Sequence, residues 1–113
     1  MKLDLKYLKF QIDAIINKIR DIMADKIHCA HILVKTEQEV KLIADQLNKG
    51  VSFSKLATEK SLCPSKKKGG DLGTFGRGQM VREFEQVAFA LQKGQISQPV
   101  KTQFGWHIIK RLE

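Results

Sequence analysis

The first 22 residues carry apolar side chains at a regular helical spacing. Steps of four and three residues alternate along the stripe, which consists of Met1, Leu5, Leu8, Ile12, Ile15, Ile19 and Ile22. A stripe with this heptad period predicts an amphipathic helix within residues 1–25. Three arrangements fit the pattern: a helix packed on its own domain, a self-association helix, or a helix lying on a membrane surface.

Residues 27–34 form an unbroken apolar and β-branched run, which predicts a buried strand. The side-chain period of two assigns its residues to opposite faces of a sheet. One face carries Cys29, His31 and Leu33, and the other carries Ala30, Ile32 and Val34. Since both faces are apolar, we expect this strand to lie in the centre of its sheet.

Three further helices are predicted between residues 36 and 91. Thr36 and Glu39 form a capping box for the first, and Ser52 is the cap of the second. The second helix must end before Pro64, because the residue preceding a proline avoids the helical region. Apolar residues at helical spacing between positions 81 and 91 predict the third.

The remaining segments alternate between strands and turns. The pattern predicts a basic flexible loop at 66–70, a short strand at 72–75, a strand at 96–101 and a last strand at 105–112. Pro99 requires an edge position or the start of a strand. The last two strands can pair as a hairpin through residues 102–105, with His107 and Ile109 on one face. These elements indicate one α+β domain over residues 26–113.

The composition narrows the functional classes. The net charge is +8, but the basic residues are scattered and not interleaved with aromatic ones, so we do not expect nucleic-acid binding as the main role. The two cysteines exclude a disulfide scaffold and favour free thiols in a reducing compartment. No apolar run has the length of a membrane span, and we expect a soluble cytoplasmic protein.

Two interior histidines and one loop cysteine are the candidates for chemistry. His31 and His107 lie in the middle of strands, where burial requires hydrogen-bond partners, so a mutual pair is expected, with or without a catalytic role. Cys63 lies in a turn outside the apolar stripes and could act as a nucleophile, a hydrogen-bond partner or a metal ligand. The spacings of these residues and Cys29 match no compact zinc motif, and no cofactor or metal is expected.

An apolar group interrupted by glycines is the third candidate feature. Its members are Leu72, Phe75, Met80, Phe84 and Phe104. Met80 follows a Gly-Arg-Gly turn, and methionine suits an adaptable binding wall. The alternative is that these residues are ordinary hydrophobic core at the edge of the sheet and bind no ligand.

Three segments closely resemble the signature of parvulin-type peptidyl-prolyl cis/trans isomerases. They are Cys29-Ala30-His31-Ile32-Leu33-Val34, Gly70-Asp71-Leu72-Gly73-Thr74-Phe75-Gly76-Arg77-Gly78-Gln79-Met80 with Phe84-Glu85 and Phe89-Ala90-Leu91, and Phe104-Gly105-Trp106-His107-Ile108-Ile109. The resemblance covers residues 26–113 and leaves out residues 1–22. It implies a four-stranded antiparallel sheet wrapped by about four helices, and an isomerase that acts on proline-containing peptides and unfolded proteins.

The resemblance also implies roles for individual residues. His31 and His107 match the family's paired histidines, Thr102 a hydroxyl in their hydrogen-bond network, and Cys63 a position that is Cys or Asp in different members. The expected proline pocket consists of Leu72, Met80 and Phe84, with Phe75 and Phe104 at its rim. These assignments imply rotation about the prolyl bond by non-covalent stabilisation of the twisted amide.

One departure from the family pattern concerns charge. Parvulins specific for phosphoserine-proline carry an arginine-rich loop after the first strand, whereas here Lys35 passes directly to the cap Thr36. The sequence therefore argues against phosphopeptide specificity, while the lysines at 66–68 could favour an acidic residue before proline. A chaperone-like or nucleic-acid-binding module with secondary isomerase activity is the alternative function.

Overall fold

The computed structural model describes residues 4–113 and shows the expected α+β architecture. The elements are α1 (Leu5–Ile22), β1 (Lys26–Val34), α2 (Glu37–Asn48), α3 (Phe53–Lys60), a 3₁₀ helix (Pro64–Lys68), β2 (Asp71–Gly76), α4 (Arg82–Ala90), β3 (Val100–Thr102) and β4 (Gly105–Arg111). The four strands form one antiparallel sheet in the order β2-β1-β4-β3. The central position predicted for β1 is confirmed.

The register of β1 against β4 brings the two histidines together. His31 lies opposite Ile109, and His107 lies opposite Leu33. The histidines are therefore diagonal neighbours on one face of the sheet, a separation that long side chains can bridge. Residues 76 positions apart in the chain meet through this pairing.

The sheet separates two apolar cores, as the period of two predicts. On one face Ala30, Ile32 and Val34 pack with α2 and α3, and on the other Ile27 and Cys29 pack with α4. The predicted caps are also present: Thr36 Oγ1 accepts from the Glu39 N–H at 3.2 Å, and Ser52 Oγ accepts from the Lys55 N–H at 3.3 Å. Local signals therefore placed these helices correctly.

The basic segment after Cys63 is not the irregular loop expected from its sequence. Pro64 begins a 3₁₀ helix that continues to Lys68, because proline has its backbone angle preset for a first helical position. Gly70 has φ +90°, and a Cβ there would lie 2.5 Å from the carbonyl oxygen of His31. This close approach allows the His31 N–H to donate to the Gly70 carbonyl at 2.9 Å, which fixes the segment beside β1.

The strand expected over residues 96–101 is reduced to Val100–Thr102. Before Pro99, Ile96 forms only an isolated bridge with Lys110. Ser97 explains the interruption, because its hydroxyl accepts from the Ile109 N–H at 2.9 Å in place of a backbone carbonyl. Pro99 directly precedes the edge strand β3, and the hairpin that pairs Thr102 with Gly105 is present as predicted.

Helix α1 is shorter than the 1–25 segment expected, and its apolar stripe is not packed on the domain. Asp4 is the N-cap, accepting from the Lys6 N–H at 2.9 Å, and Met1 lies outside the described residues. None of the helical residues is buried, and Leu5 and Ile15 are 79% and 57% exposed. The rest of the described chain therefore leaves this stripe uncovered, although the C-terminal end of α1 contacts the domain. Among residues 4–113, no helix is both long enough and apolar enough to cross a bilayer.

Candidate active site

A cavity of about 480 Å³ opens on the sheet face that carries the histidines. Its walls come from β1, β2, β4, α4, the turn before the 3₁₀ helix and the β3–β4 hairpin. The lining residues are His31, Leu33, Leu62, Cys63, Pro64, Leu72, Gln79, Met80, Val81, Phe84, Phe104 and His107. Seven of the nine residues singled out from the sequence therefore share one cavity, and Thr102 lies directly behind His107.

Phe75 is the exception, and its expected place at the rim is wrong. Its side chain is 3% exposed and belongs to the core beneath the cavity. It packs against Phe84 and Phe89 with ring centroids 6.1 Å apart in both pairs. Phe75 lies opposite Ile27 of β1, inside the core between the sheet and α4, whereas Leu72 packs at the border of this core and also lines the cavity.

The two histidines form a hydrogen-bonded chain with Thr102. Nδ1 of His31 lies 3.0 Å from Nδ1 of His107, and Nε2 of His107 lies 2.7 Å from Thr102 Oγ1. Thr102 Oγ1 also accepts from the Phe104 N–H at 3.1 Å. One of the two facing Nδ1 atoms carries the proton of their hydrogen bond and the other accepts it.

Burial keeps both imidazoles neutral. Desolvation, together with a smaller effect of the neighbouring His107, lowers the pKa of His31 to about 4. Desolvation alone lowers the pKa of His107 to about 4. Within the described residues, Nε2 of His31 is buried without a hydrogen-bond partner. Unpaired buried polar atoms are rare and recur at functional sites.

The two thiols lie in different environments. Cys29 is fully buried, and this burial raises the pKa of its thiol to about 11, so it is inert at neutral pH. Cys63 is part-buried at the cavity wall. Its backbone N–H donates to Ser61 Oγ at 3.3 Å, and the same oxygen accepts from the Leu33 N–H at 3.0 Å. The buried Ser61 thus fixes the Cys63 turn against β1.

The apolar end of the cavity is built on Phe84. Its ring meets His31 and His107 edge-on, with centroid separations of 5.6 and 5.4 Å. Leu72 and Met80, both part-buried, complete this wall. Aromatic and aliphatic groups around one concave end suit a small apolar ring and exclude water from it.

Sequence reasoning missed five residues of the lining. They are Leu33, Leu62, Pro64, Gln79 and Val81. Leu33 could have been found from the period of two, which places it on the same face as His31. Leu62 and Pro64 could have been found because they flank Cys63 in the sequence. Gln79 carried no such signal: its Oε1 accepts from the Gly76 N–H at 2.7 Å, which holds its side chain in the turn. No group of three or more metal-ligand side chains occurs among residues 4–113.

Comparison with known families gives a match over most of the chain. The sequence model of the rotamase family, described as the PPIC-type PPIase domain, matches residues 30–113. The foldase protein PrsA of Geobacillus kaustophilus is 46% identical over 97% of this chain, and a parvulin-like PPIase of Rickettsia bellii is 50% identical over 79% of it. The chain spans only 42% and 33% of these relatives.

Solved structures give a similar result. The solution structure of NmPin, the parvulin of Nitrosopumilus maritimus, superposes with a TM-score of 0.72 at 48% identity over 80% of this chain and 98% of that one. The PrsA crystal structure from Bacillus subtilis superposes with a TM-score of 0.77 at 38% identity over 96% of this chain and 49% of that one. The match to PrsA thus includes the region of α1.

Proposed function

Because the chain belongs to the parvulin family of PPIC-type peptidyl-prolyl cis/trans isomerases, we propose that it accelerates rotation about X–Pro bonds and thereby assists protein folding. The observation that carries this proposal is the neutral histidine–histidine–threonine chain in the wall of an apolar cavity. Its substrates are proline-containing peptides and unfolded proteins.

The physical task is to weaken amide resonance. A prolyl bond rotates over a barrier of ~18–20 kcal/mol, and spontaneous exchange takes roughly 10–100 s. No bond has to break. A site that favours the twisted amide over the planar one by ~4–7 kcal/mol accelerates exchange by ~10³–10⁵, at 1.36 kcal/mol per decade.

The cavity supplies two kinds of interaction for this task. The wall of Leu72, Met80 and Phe84 holds the proline ring and excludes water, which removes the solvation that favours the polar, planar amide over the twisted one. The polar groups face the carbonyl side, where the Cys63 thiol and the fixed imidazoles stabilise the charge distribution of the twisted state. Neutral histidines suit this role because they require no counter-ion in an apolar cavity.

A protease-free exchange measurement tests the function. Adding the protein to a short prolyl peptide and following cis/trans exchange by NMR should give an acceleration proportional to protein concentration. Exchange that stays at its spontaneous rate in the presence of folded protein would contradict the proposal.

The exposed stripe of α1 supports a second part of the proposal, namely attachment. We propose that residues 1–22 carry the isomerase to another surface, either a membrane surface or a second copy of the helix. Exposed isoleucines at heptad positions support self-association, and Lys6, Lys9, Lys18 and Arg20 support contact with anionic lipid. Co-sedimentation with liposomes tests lipid binding, and light scattering in solution tests self-association, each with and without residues 1–22. A full-length protein that is monomeric and does not sediment with liposomes would contradict both forms of attachment.

The cytoplasm is the compartment we propose, at a membrane periphery if the helix binds lipid. The free thiols of Cys29 and Cys63 support a reducing environment. Cell fractionation with an antibody against the chain tests this assignment. Nucleic-acid binding or client holding as the main role is the alternative, which salt-dependent retention on DNA or suppression of aggregation by an inactive variant would favour.

A further inference from the structure

The pairing of β1 with β2 is interrupted by a β-bulge. The two flanking pairs in the register are His28 with Thr74 and Ala30 with Asp71. Between these pairs β1 contributes one residue and β2 contributes two. The second of the two, Gly73, has φ +74°, a conformation that glycine adopts readily. Bulges of this kind redirect a side chain and are frequent next to active sites.

The bulge decides which face of the sheet Leu72 occupies. Phe75 lies opposite Ile27 and packs in the core beside α4. With regular alternation, Leu72 lies three positions earlier and would occupy the opposite face, beside α2 and α3. The extra residue reverses this, as any one-residue shift does. Leu72 therefore packs against the same core as Phe75 and lines the cavity together with Phe84. One wall of the proposed proline site thus depends on the bulge.

The Asp71 carboxylate joins the two strands at the bulge. Its Oδ1 accepts from the Gly73 N–H at 2.7 Å, a bond that spans Leu72. The same oxygen lies 2.6 Å from Nε2 of His28 on β1. The hydrogen bond from Gly73, followed by that from His28, holds the pKa of the Asp71 carboxyl below its usual value. Since an ionised carboxylate only accepts hydrogen bonds, His28 Nε2 is the donor.

His28 is a firmly held partner for this carboxylate. Its N–H donates to the Glu113 carbonyl at 3.3 Å, and its carbonyl accepts from the Leu112 N–H at 2.7 Å. The backbone of β1 is thus fixed on the side away from β2. The imidazole of His28 and the carboxylate of Asp71 are 29% and 39% exposed and belong to neither apolar core. Replacing either group should therefore leave both cores intact.

We propose that Asp71 and His28 are positioning residues for the isomerase, because they fix the bulge that keeps Leu72 in the wall of the cavity. This inference rests on the proposed isomerase function and deepens it by assigning two residues on which the shape of the proline site depends. Neither residue lines the cavity, so neither touches the substrate. Their effect on turnover passes through the side chain of Leu72.

The experiment is a double-mutant cycle of Asp71→Ala and Leu72→Ala, with kcat/KM for a short prolyl peptide measured by NMR exchange. Each single change should lower kcat/KM by about tenfold, since misplacing a binding group by about 1 Å costs up to ~100-fold. In the Leu72→Ala background, Asp71→Ala should lower it by less than about twofold more, because two changes that act through one side chain are not additive. Urea titration establishes that each variant is folded. A merely structural role of Asp71 would lower kcat/KM equally in both backgrounds.

Conservative variants and a matched control complete the design. Asp71→Asn keeps an oxygen acceptor for both bonds and should restore kcat/KM to within about threefold of the wild type, since a neutral hydrogen bond is weaker than a charged one. The Gly73 amide proton should shift upfield in Asp71→Ala but not in Asp71→Asn. His28→Gln, which retains an N–H donor, should exceed His28→Ala in kcat/KM. Asp45→Ala removes the same charge from an exposed position on α2 outside the cavity and should keep the wild-type value.

The outcomes separate the two proposals. Equal losses from Asp71→Ala in both backgrounds, or wild-type kcat/KM in the Asp71→Ala protein, would overturn the positioning role and leave the isomerase function intact. An equal loss in Asp45→Ala would also overturn it, because charge alone would then explain the effect. If Asp71→Ala does not fold, the same cycle with His28→Ala, which retains the bond to Gly73, decides the question. A folded wild-type protein that accelerates no prolyl peptide would overturn the isomerase function itself.

Discussion

The Thr102 hydroxyl links the histidine pair to the hairpin that closes the cavity. It bonds His107 Nε2 at 2.7 Å and accepts from the Phe104 N–H at 3.1 Å, so one side chain orients both an imidazole and a rim residue. Side-chain networks of this kind are stronger than separate pairs, because each member fixes the next. The orientation of both rings therefore depends on a residue that does not line the cavity.

Replacing Thr102 by valine should lower kcat by about tenfold, or 1.4 kcal/mol in barrier, with a smaller change in KM. The shape is retained, but His107 Nε2 loses its hydrogen-bond partner, so the His107 ring is held less firmly against His31. Steady-state NMR exchange and the ¹⁵N shifts of the imidazoles measure the two effects. Thr74→Val, an exposed threonine on β2, is the control; equal kinetics for both variants would contradict a positioning role.

Cys63 can act without forming a covalent bond. If its thiol only stabilises the twisted amide electrostatically, Cys63→Asp should keep measurable isomerase activity, reduced by about 10–100-fold at 1.36 kcal/mol per decade. Circular dichroism establishes that the fold is retained. Complete loss of turnover in a folded Cys63→Asp protein would instead support nucleophilic attack by the thiol.

Helix α1 is attached to the body at its C-terminal end. The buried Arg111 guanidinium donates to the carbonyls of Asp21 and Leu91 at 2.6 and 2.7 Å, and Arg77 donates to the Ile22 carbonyl at 3.0 Å. The Lys93 N–H donates to the Asp21 carboxylate at 3.1 Å. These contacts join α1 to the ends of α4 and β4, while the apolar stripe stays exposed.

Arg111→Met should lower the free energy of unfolding by about 2–4 kcal/mol, because buried carbonyls lose a charged donor. Urea titration of the full chain measures this change. Lys110→Met, on the neighbouring and partly exposed position of β4, should change it by less than about 0.5 kcal/mol. Equal stability of the two variants would show that the Arg111 contacts do not hold the helix.

The molecule as a whole combines a small parvulin-family domain, residues 26–113, with the exposed helix α1. The region that matches this chain makes up 98% of the small protein NmPin, but only 42% of the longer foldase PrsA of Geobacillus kaustophilus. The body buries its histidine pair between the sheet and α4, so its stability is linked to the protonation of two groups. Because of this linkage, the free energy of unfolding should depend on pH in the acidic range.

The stability of the whole domain should fall as pH is lowered from 6.5 to about 4. Burial lowers the pKa of His31 and His107 from 6.5 to about 4 in the folded state. Between pH 6.5 and about 4 the unfolded chain therefore binds more protons than the folded one. The stabilisation from the two neutral histidines is fully present above pH 6.5 and decreases as the pH falls through this range. Urea unfolding at intervals of pH measures the loss. NMR signals of the His31 and His107 imidazoles that titrate near pH 6.5 in the folded protein would contradict this prediction.

Local sequence patterns predicted the structure correctly where a short segment determines its own conformation. The alternation in β1 determined which side chains face each core, and Thr36 and Ser52 marked two helix starts, because these signals act over a few residues. The three segments that resemble the family indicated the histidines and most of the cavity wall, and the same resemblance outside these segments indicated Cys63.

What depends on distant segments was left to the tertiary structure. Phe75 lies in the core and Leu62 at the cavity, yet both are apolar residues beside glycines or polar turns in the sequence. Ser97 interrupts a strand only because Ile109 of β4 lies next to it, and α1 leaves its stripe open because its attachment lies on Asp21 and Arg111. In each case the deciding contact joins residues far apart in the chain, and a local pattern contains no information about which distant surface will meet it.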